Sequence, residues 1–362
     1  MAIIISEDGR KAQKIDKSRI SKEGYLQEYI LNNPESIPIY ELKEDKRLFV
    51  AKREFPTSSG PIDALAVDQY GDIYIVETKL YKNSDKRKVV AQALDYGAAL
   101  WKHWNGFNEF ITILNNESQE IPNMTFQEKV AEFFELDDDQ LSAMIKALEN
   151  NLETGNIKFI ILMDTIDDRL KDLILYINQK SQFDIYAVQL ELYRFEKYEI
   201  IIPKIFGDEV KKNVKSSGSS NDRIYWNEEG FLREVENLTP NVKAKVINLY
   251  EFAKQENCLG DWGTGKKASF KFKIRTPVRA GETTVFSVWS DGFIQIGYWL
   301  RRHGEKPLPE VEEFFKMINK VKGLRINFEA RTDRLSLEEV DNEALQELKK
   351  AVLWLKNKFP TD

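Results

Sequence analysis

Residues 60–96 read GPIDALAVDQYGDIYIVETKLYKNSDKRKVVAQALDY. Two apolar, β-branched runs, 62–67 and 73–80, are bounded by Gly and Asp, and they predict a hairpin. A three-residue loop, Gln69-Tyr70-Gly71, places the glycine at the left-handed position such loops favour. In that register Asp68 faces Asp72, and Asp63 falls opposite Glu77. Alternation along the strands then sets Asp63, Leu65 and Val67 on one face with Ile73, Ile75, Glu77 and Lys79. A slip of one residue would separate the two carboxylates. The turn therefore gathers Asp63, Glu77 and Lys79 at one end of a strand pair.

Two carboxylates at cross-strand distance repel each other unless a cation or a proton lies between them. Magnesium suits such a pair, because it takes hard oxygen ligands and keeps waters and substrate phosphate in its other positions. A metal there polarises a phosphodiester and acidifies a bound water, and Lys79 on the same face is placed to orient that water or neutralise developing charge. The plainer account is a Glu77–Lys79 salt bridge at a strand end.

Asp63, followed by Glu77-Thr78-Lys79 closing an apolar strand, resembles the PD-(D/E)xK nuclease superfamily. Pro61 stands two residues before the aspartate rather than adjacent to it. Gln92 and Tyr96 match the Q-x-x-x-Y element of the RecB-like branch, and their spacing sets both on one helix face. Glu23-x-x-Leu26-Gln27, then Asn33-Pro34-Glu35, resembles the opening helix of NucS-like predicted nucleases. The resemblance covers roughly residues 20–205. It implies an α/β fold with a restriction-endonuclease-like mixed β-sheet flanked by helices. It also implies Mg2+ or Mn2+ at Asp63 and Glu77, with Glu23 completing the shell and Glu28 as the alternative. Lys79 would position or activate water, and Gln92 would orient the lysine or the substrate, with Tyr96 supporting. The implied substrate is nucleic acid, DNA ahead of RNA, in defence or repair.

One cysteine, Cys258, excludes a disulfide framework within the chain and a cysteine-based zinc site. The two histidines, His103 and His303, lack metal-ligand spacing. A divalent metal must then sit among carboxylates and carbonyls. The opening MAIIISEDGRK is charged too soon for a signal peptide, and no apolar run of membrane-spanning length follows, so a cytoplasmic location without membrane attachment is expected. The net charge of −6 argues against a general DNA-coating protein. It divides unevenly, about −9 over residues 1–206 and about +3 over 207–362.

The expected organisation is a nuclease-like domain at 1–206 with a helical insertion at about 115–152, a linker at 207–222, and an α+β accessory domain at 223–362. Residues 1–19 read as an edge strand or arm, 22–33 as a helix stopped by Pro34, and 35–55 as one or two strands. Lys82, Lys86, Arg87 and Lys88 are candidates for phosphate contact, or simply a solvated first turn. Ser84 is a candidate N-cap for a helix to about residue 104. Residues 110–114 suggest a strand, and Thr125–Glu128 reads as a capping box. The run Asp137-Asp138-Asp139 lacks EF-hand spacing and reads as a helix start. Strand, helix, strand and strand then follow at 157–163, 167–179, 185–193 and 198–205. The serine- and glycine-rich stretch 211–222 is the clearest linker.

The accessory domain predicts helices at 227–237 and 240–256, strands at 268–276, 283–289 and 292–300, a helix at 308–321, a strand at 324–330 and a helix at 336–358. Gly260-x-x-x-x-Gly265-Lys266 imitates a P-loop but has Lys267 where Ser or Thr should hold magnesium, and its helix-before, strand-after context is inverted. Along 269–275, Lys271, Lys273 and Arg275 alternate with apolar residues. With Lys266, Lys267 and Trp262 they form either a basic stripe for a phosphate backbone or the charged solvent face of a half-buried strand. The reading that emerges is a Mg- or Mn-dependent deoxyribonuclease whose partner is nucleic acid, with a homodimer left open. Its rivals are a non-cleaving nucleic-acid-binding protein on the same fold and a structural ion-pair network.

Overall fold

The computed structural model describes residues 2–360 except 44–45, 84–85, 103–105, 116–123, 208–225, 261, 264–265, 279–280, 302–304, 325 and 329–332, and except the side chains of 83, 86 and 87. The chain divides into two units, residues 1–128 with 144–219 and residues 129–143 with 220–362. Ser84, His103, His303 and nearly all of the expected linker lie outside the described residues.

The chain opens with a separate hairpin, β1 (Ala2–Glu7) and β2 (Arg10–Asp16), turned by Asp8 and Gly9 at positive φ. Then come α1 (Glu23–Asn32), β3 (Leu48–Phe55), β4 (Ile62–Asp68), β5 (Ile73–Lys79), α2 (Lys86–Lys102), α3 (Phe107–Asn115), α4 (Phe126–Phe134), α5 (Asp138–Thr154), β6 (Ile157–Met163), α6 (Asp168–Lys180), β7 (Asp184–Phe195) and β8 (Tyr198–Phe206). Strands β3 to β8 form one sheet in sequence order. β3, β4 and β5 run antiparallel, β5, β6 and β7 parallel, and β8 antiparallel again. Parallel neighbours need long crossovers, and the helices between β5 and β6 and between β6 and β7 supply them. This is a mixed α/β sheet.

The hairpin turns as its sequence predicts. Gly71 sits at φ 77°, and Asp68 N–H donates to the Asp72 carbonyl at 3.2 Å. A Cβ at residue 71 would lie 2.5 Å from the Met144 carbonyl oxygen, so glycine is required by both backbone and space. On one sheet face Ala64, Ala66, Tyr74, Val76, Ile160, Leu162 and Leu190 pack with Leu26 and Ile30 of α1. On the other face α2 approaches so closely at Gly97 that a Cβ there would stand 2.7 Å from the Phe159 ring. Burial on both faces is why β4 to β6 read as nearly continuous apolar runs.

Residues 110–114 are helical rather than a strand. Phe110 and Leu114 are both buried and four apart, the period of a helix face. Thr125 and Glu128 form the capping box, with Thr125 N–H donating to Glu128 at 2.7 Å and Glu128 N–H to the Thr125 hydroxyl at 3.2 Å. Asp137 caps α5 by accepting from Gln140 N–H at 2.9 Å, so the Asp run opens a helix.

The second unit contains α7 (Glu228–Val235), α8 (Pro240–Gln255), β9 (Ser269–Arg275), β10 (Glu282–Trp289), β11 (Phe293–Ile296), α9 (Pro309–Asn319), β12 (Leu335–Ser336) and α10 (Asn342–Lys358). Its antiparallel sheet has the order β12-β11-β10-β9. Phe231, Val246, Phe270, Phe272, Phe286, Phe314 and Leu348 share its core. β11 stops at Ile296 because Gly297 turns the chain at φ 76°. The strand expected at 324–330 is absent among its described residues. The chain instead pairs Leu335 with Ile294, and α10 begins at Asn342, capped by Asp341. Among the described residues no helix is long and apolar enough to cross a membrane.

Candidate functional site

The β4–β5 ladder follows the expected register from Val67↔Ile73 to Ala64↔Val76 and ends there, one residue short of Asp63 and Glu77. Where the ladder ends, a side chain takes over. Asp63 Oδ2 accepts from the Thr78 N–H and from the Thr78 hydroxyl, each at 2.7 Å. Glu77 is fully buried. Its Oε1 meets the Lys79 ammonium at 3.0 Å as an ion pair, and its Oε2 has no hydrogen-bond partner among the described residues. Glu23 reaches the same place from α1, with Oε1 accepting from Leu80 N–H at 3.2 Å and Oε2 lying 3.8 Å from Lys79 Nζ. Glu28 is exposed on that helix and makes none of these contacts.

The tight approach of α2 sets Gln92 and Tyr96 over the face that carries Glu77. Gln92 Nε2 donates to the Tyr96 hydroxyl at 2.8 Å. Tyr96 is buried, and a Cβ at Gly60 would lie 3.8 Å from its ring and hydroxyl. The structure thus brings Asp63, Glu77, Lys79 and Glu23 to one strand end, with the Gln92–Tyr96 pair within electrostatic reach.

Burial, reinforced by the Asp63 carboxylate, pushes the Glu77 carboxyl up to about 7 against the downward pull of Lys79. Burial also works against the Lys79 charge, but Glu77, Asp63 and Glu23 outweigh it and hold the ammonium above the ordinary lysine range. Burial raises the Tyr96 hydroxyl; Gln92 opposes the shift, and Glu77 and Asp63 add to it. Lys79 is therefore a fixed cation, and Glu77 is a carboxylate short of positive charge.

That shortage is what a hard cation relieves. Glu77 offers a buried oxygen without a hydrogen-bond partner, and Asp63 keeps Oδ1 free of hydrogen bonds among the described residues. The oxygen-only donor set fits magnesium or manganese. Among the described residues no group of three Asp, Glu, His or Cys side chains is gathered closely enough to hold a metal ion, Asp63, Glu77 and Glu23 included, and Asp63 and Glu23 each turn one oxygen to a backbone N–H. A cation held here would keep water in several positions, as magnesium does.

The basic candidates divide. Lys82 is exposed, with Nζ 3.4 Å from the Ser21 carbonyl oxygen, and Lys88 is exposed on α2. Lys86 and Arg87 open α2, and their side chains lie outside the described residues. In the second unit Lys266 and Lys267 are exposed just before β9. Lys271 and Lys273 overturn the expectation of a stripe: both are buried, and Lys271 Nζ donates to the Glu135 carbonyl at 2.7 Å. Neither lysine stands on an open face: residues 129–143 belong to this unit and meet Lys271, and Gly260 packs against the Lys273 stem.

Three polar clusters go beyond what local sequence pattern assigns, the facing pair Asp68–Asp72 apart. At the turn end of the hairpin, Asp68 and Asp72 bind Lys46, Lys158 and Tyr74. On β7 the buried Glu191 accepts from Gln189 at 2.8 Å and from Lys204 at 3.1 Å, with Lys17 at 3.7 Å. On β3, Arg53 donates to Gln27 of α1 at 3.2 Å. A charged residue inside an apolar run is a sequence signal for Glu191. Local pattern gives none for Lys46 or for the Arg53–Gln27 contact.

Comparison of the chain with family models, with curated proteins and with solved structures returns no match.

Proposed function

We propose that this protein is a magnesium- or manganese-dependent nuclease, acting on DNA, built on a restriction-endonuclease-like sheet. One observation carries the reading: Glu77 is buried, short of hydrogen bonds and pushed up to about 7, beside Lys79 and next to Asp63. A protein bears the cost of such a carboxylate where it has a task. Asp63 and Glu77 would hold the metal, with Glu23 joining directly or through water. The metal, when bound, supplies a polarised phosphodiester oxygen and an acidified water.

The chain's own groups do the rest. Thr78 fixes the Asp63 carboxylate at the strand end through two hydrogen bonds. Lys79, held charged by three carboxylates, places a positive charge where the phosphoryl group gains negative charge, and it orients the attacking water rather than deprotonating it. Gln92 and Tyr96 close the α2 side and orient lysine and substrate. A cytoplasmic role in defence or repair suits this chemistry. The test is cleavage of plasmid and single-stranded DNA, with magnesium or manganese, by the native chain, Asp63→Ala and Lys79→Ala. Equal activity in all three sinks the assignment.

A second reading has its own observation: Lys79 spans Glu77 and Glu23 as an ion-pair chain. If that chain is only a strut of a non-cleaving protein, titration calorimetry with Mn2+ will show no binding that depends on Glu77.

A further inference from the structure

Arg53 lies on β3 opposite Ala64, on the α1 face of the sheet, whereas Asp63 and Glu77 project from the other face at the strand end that Glu23 of α1 reaches. Among the described residues its guanidinium makes one hydrogen bond, Nη2 to Gln27 Oε1 at 3.2 Å. Its Nε is buried and has no hydrogen-bond partner, and no carboxylate lies within ion-pairing distance among the described residues. An arginine is charged at every working pH and carries five donors in a planar fork. An arginine is almost never fully buried unless paired, and this half-buried one has a single neutral acceptor among the described residues, which leaves its fork available to an anion.

Its position says which anion. Gln27 is itself buried, and it stands one helical turn along α1 from Glu23, the residue that touches Lys79 and Leu80. Side chains four apart on a helix are neighbours, about 6 Å between Cβ atoms. Gln27 therefore holds the guanidinium one turn from the Lys79–Glu23 contact. The fork matches the paired oxygens of a phosphodiester.

We propose that Arg53, positioned by Gln27, binds a phosphate of the nucleic-acid strand adjacent to the phosphate held at Glu77 and Lys79. This rests on the nuclease reading of that site, and it adds a substrate contact from β3 and α1. Arg53 is a binding residue; Gln27 is a positioning residue that acts through it.

The test reads binding separately from cleavage. In the full chain carrying Asp63→Asn, fluorescence anisotropy with end-labelled single-stranded DNA and RNA of one sequence is followed across a salt series. Adding Arg53→Ala weakens binding about tenfold and lowers the slope of log affinity against log salt by about one charge. Arg53→Gln does the same, and it keeps a long polar stem should the alanine variant melt early. Gln27→Leu gives a smaller loss with an unchanged slope, since the charge remains but is no longer aimed. In the otherwise native chain, Arg53→Ala binds Mn2+ as tightly as the parent. Native affinity and slope in both Arg53 variants overturn the proposal; if the native chain still cleaves DNA, the nuclease reading survives that failure. Arg53-dependent binding by a chain that cleaves nothing supports the anion site and overturns the cleavage reading. Equal loss on DNA and RNA supports a contact to phosphate itself.

Discussion

The Asp63 carboxylate completes the end of β5 through Thr78, taking both its N–H and its hydroxyl at 2.7 Å. One residue thus serves the fold and the proposed chemistry through different oxygens. Replacing Asp63 by Asn retains an acceptor for both Thr78 donors and removes the charge. Asp63→Ala leaves a strand-end N–H and a hydroxyl without their partner, at about 1–3 kcal/mol. The expectation is that both variants lose DNA cleavage while only Asp63→Ala melts at clearly lower temperature. Thermal melts beside plasmid assays check it, and a melt of Asp63→Asn as low as that of the alanine variant would count against the division of labour.

Glu77 sets a pH dependence. Its carboxyl stands at about 7 in the fold against an ordinary value of 4.5. A carboxyl raised by folding holds its proton more tightly in the native state. The fold therefore gains stability as pH falls from about 7 through 4.5, and carries a penalty while the group is ionised above 7. The shift corresponds to a penalty on the order of 3 kcal/mol. Without divalent metal at pH 8, Glu77→Gln should be more stable than the native chain, and the difference should shrink towards pH 4.5. Urea titrations at pH 5 and pH 8 read this directly. Magnesium should raise the stability of the native chain and not that of Glu77→Gln.

The hairpin and its end cluster were legible because local rules converge on them. Gly71, the alternation along 62–67 and 73–79, and the spacing of Glu77 and Lys79 all act within one turn or one strand pair. Glu23 was reachable through its motif alone. Arg53 was not, because β3 carries a bulge between Val50 and Lys52 that shifts which residues share a face with β4. Lys271 and Lys273 misled for a related reason: β9 alternates as a half-exposed strand would, but its outer face is covered at Lys271 by a segment over a hundred residues earlier and at Lys273 by Gly260. Patterns local in sequence describe a strand, not what later covers it.

That earlier segment leads to a third expectation. Glu135 is buried and accepts from Thr284 through both its N–H and its hydroxyl, while Asp137 accepts from the Trp289 ring N–H at 3.0 Å. Without residues 129–143, buried donors on β10 and the Lys271 ammonium lose their partners, each at about 1–3 kcal/mol. A chain of residues 220–362 alone should therefore lack a cooperative unfolding transition. Joining residues 129–143 to it should restore one. Urea denaturation followed by tryptophan fluorescence distinguishes the two, and a cooperative transition in the short chain would show that the segment is dispensable.

The two ends of one hairpin make opposite use of lysine. At the turn end, each Asp68 oxygen has partners: Tyr70 and Asp72 N–H on one, Tyr74 and Lys46 on the other. Lys46 also reaches Asp72 at 3.1 Å, and with Lys158 it holds the Asp72 carboxyl well below the usual range despite burial. Removing Lys46 leaves Asp72 to Lys158 and takes the ion pair from buried Asp68, whose carboxyl is already raised by burial and by Asp72, so Lys46→Met should cost about 3–5 kcal/mol. At the other end the Glu77 carboxyl already stands near neutrality, so losing Lys79 lets it take up a proton instead of remaining a buried charge. Lys79→Met should change stability at pH 7 by less than about 1 kcal/mol, yet abolish cleavage. Measuring both variants by urea denaturation and DNA cleavage separates a lysine that holds the fold together from one retained for chemistry. Comparable losses of stability would mean that Lys79 is structural and that the strand-end cluster is an ion-pair network.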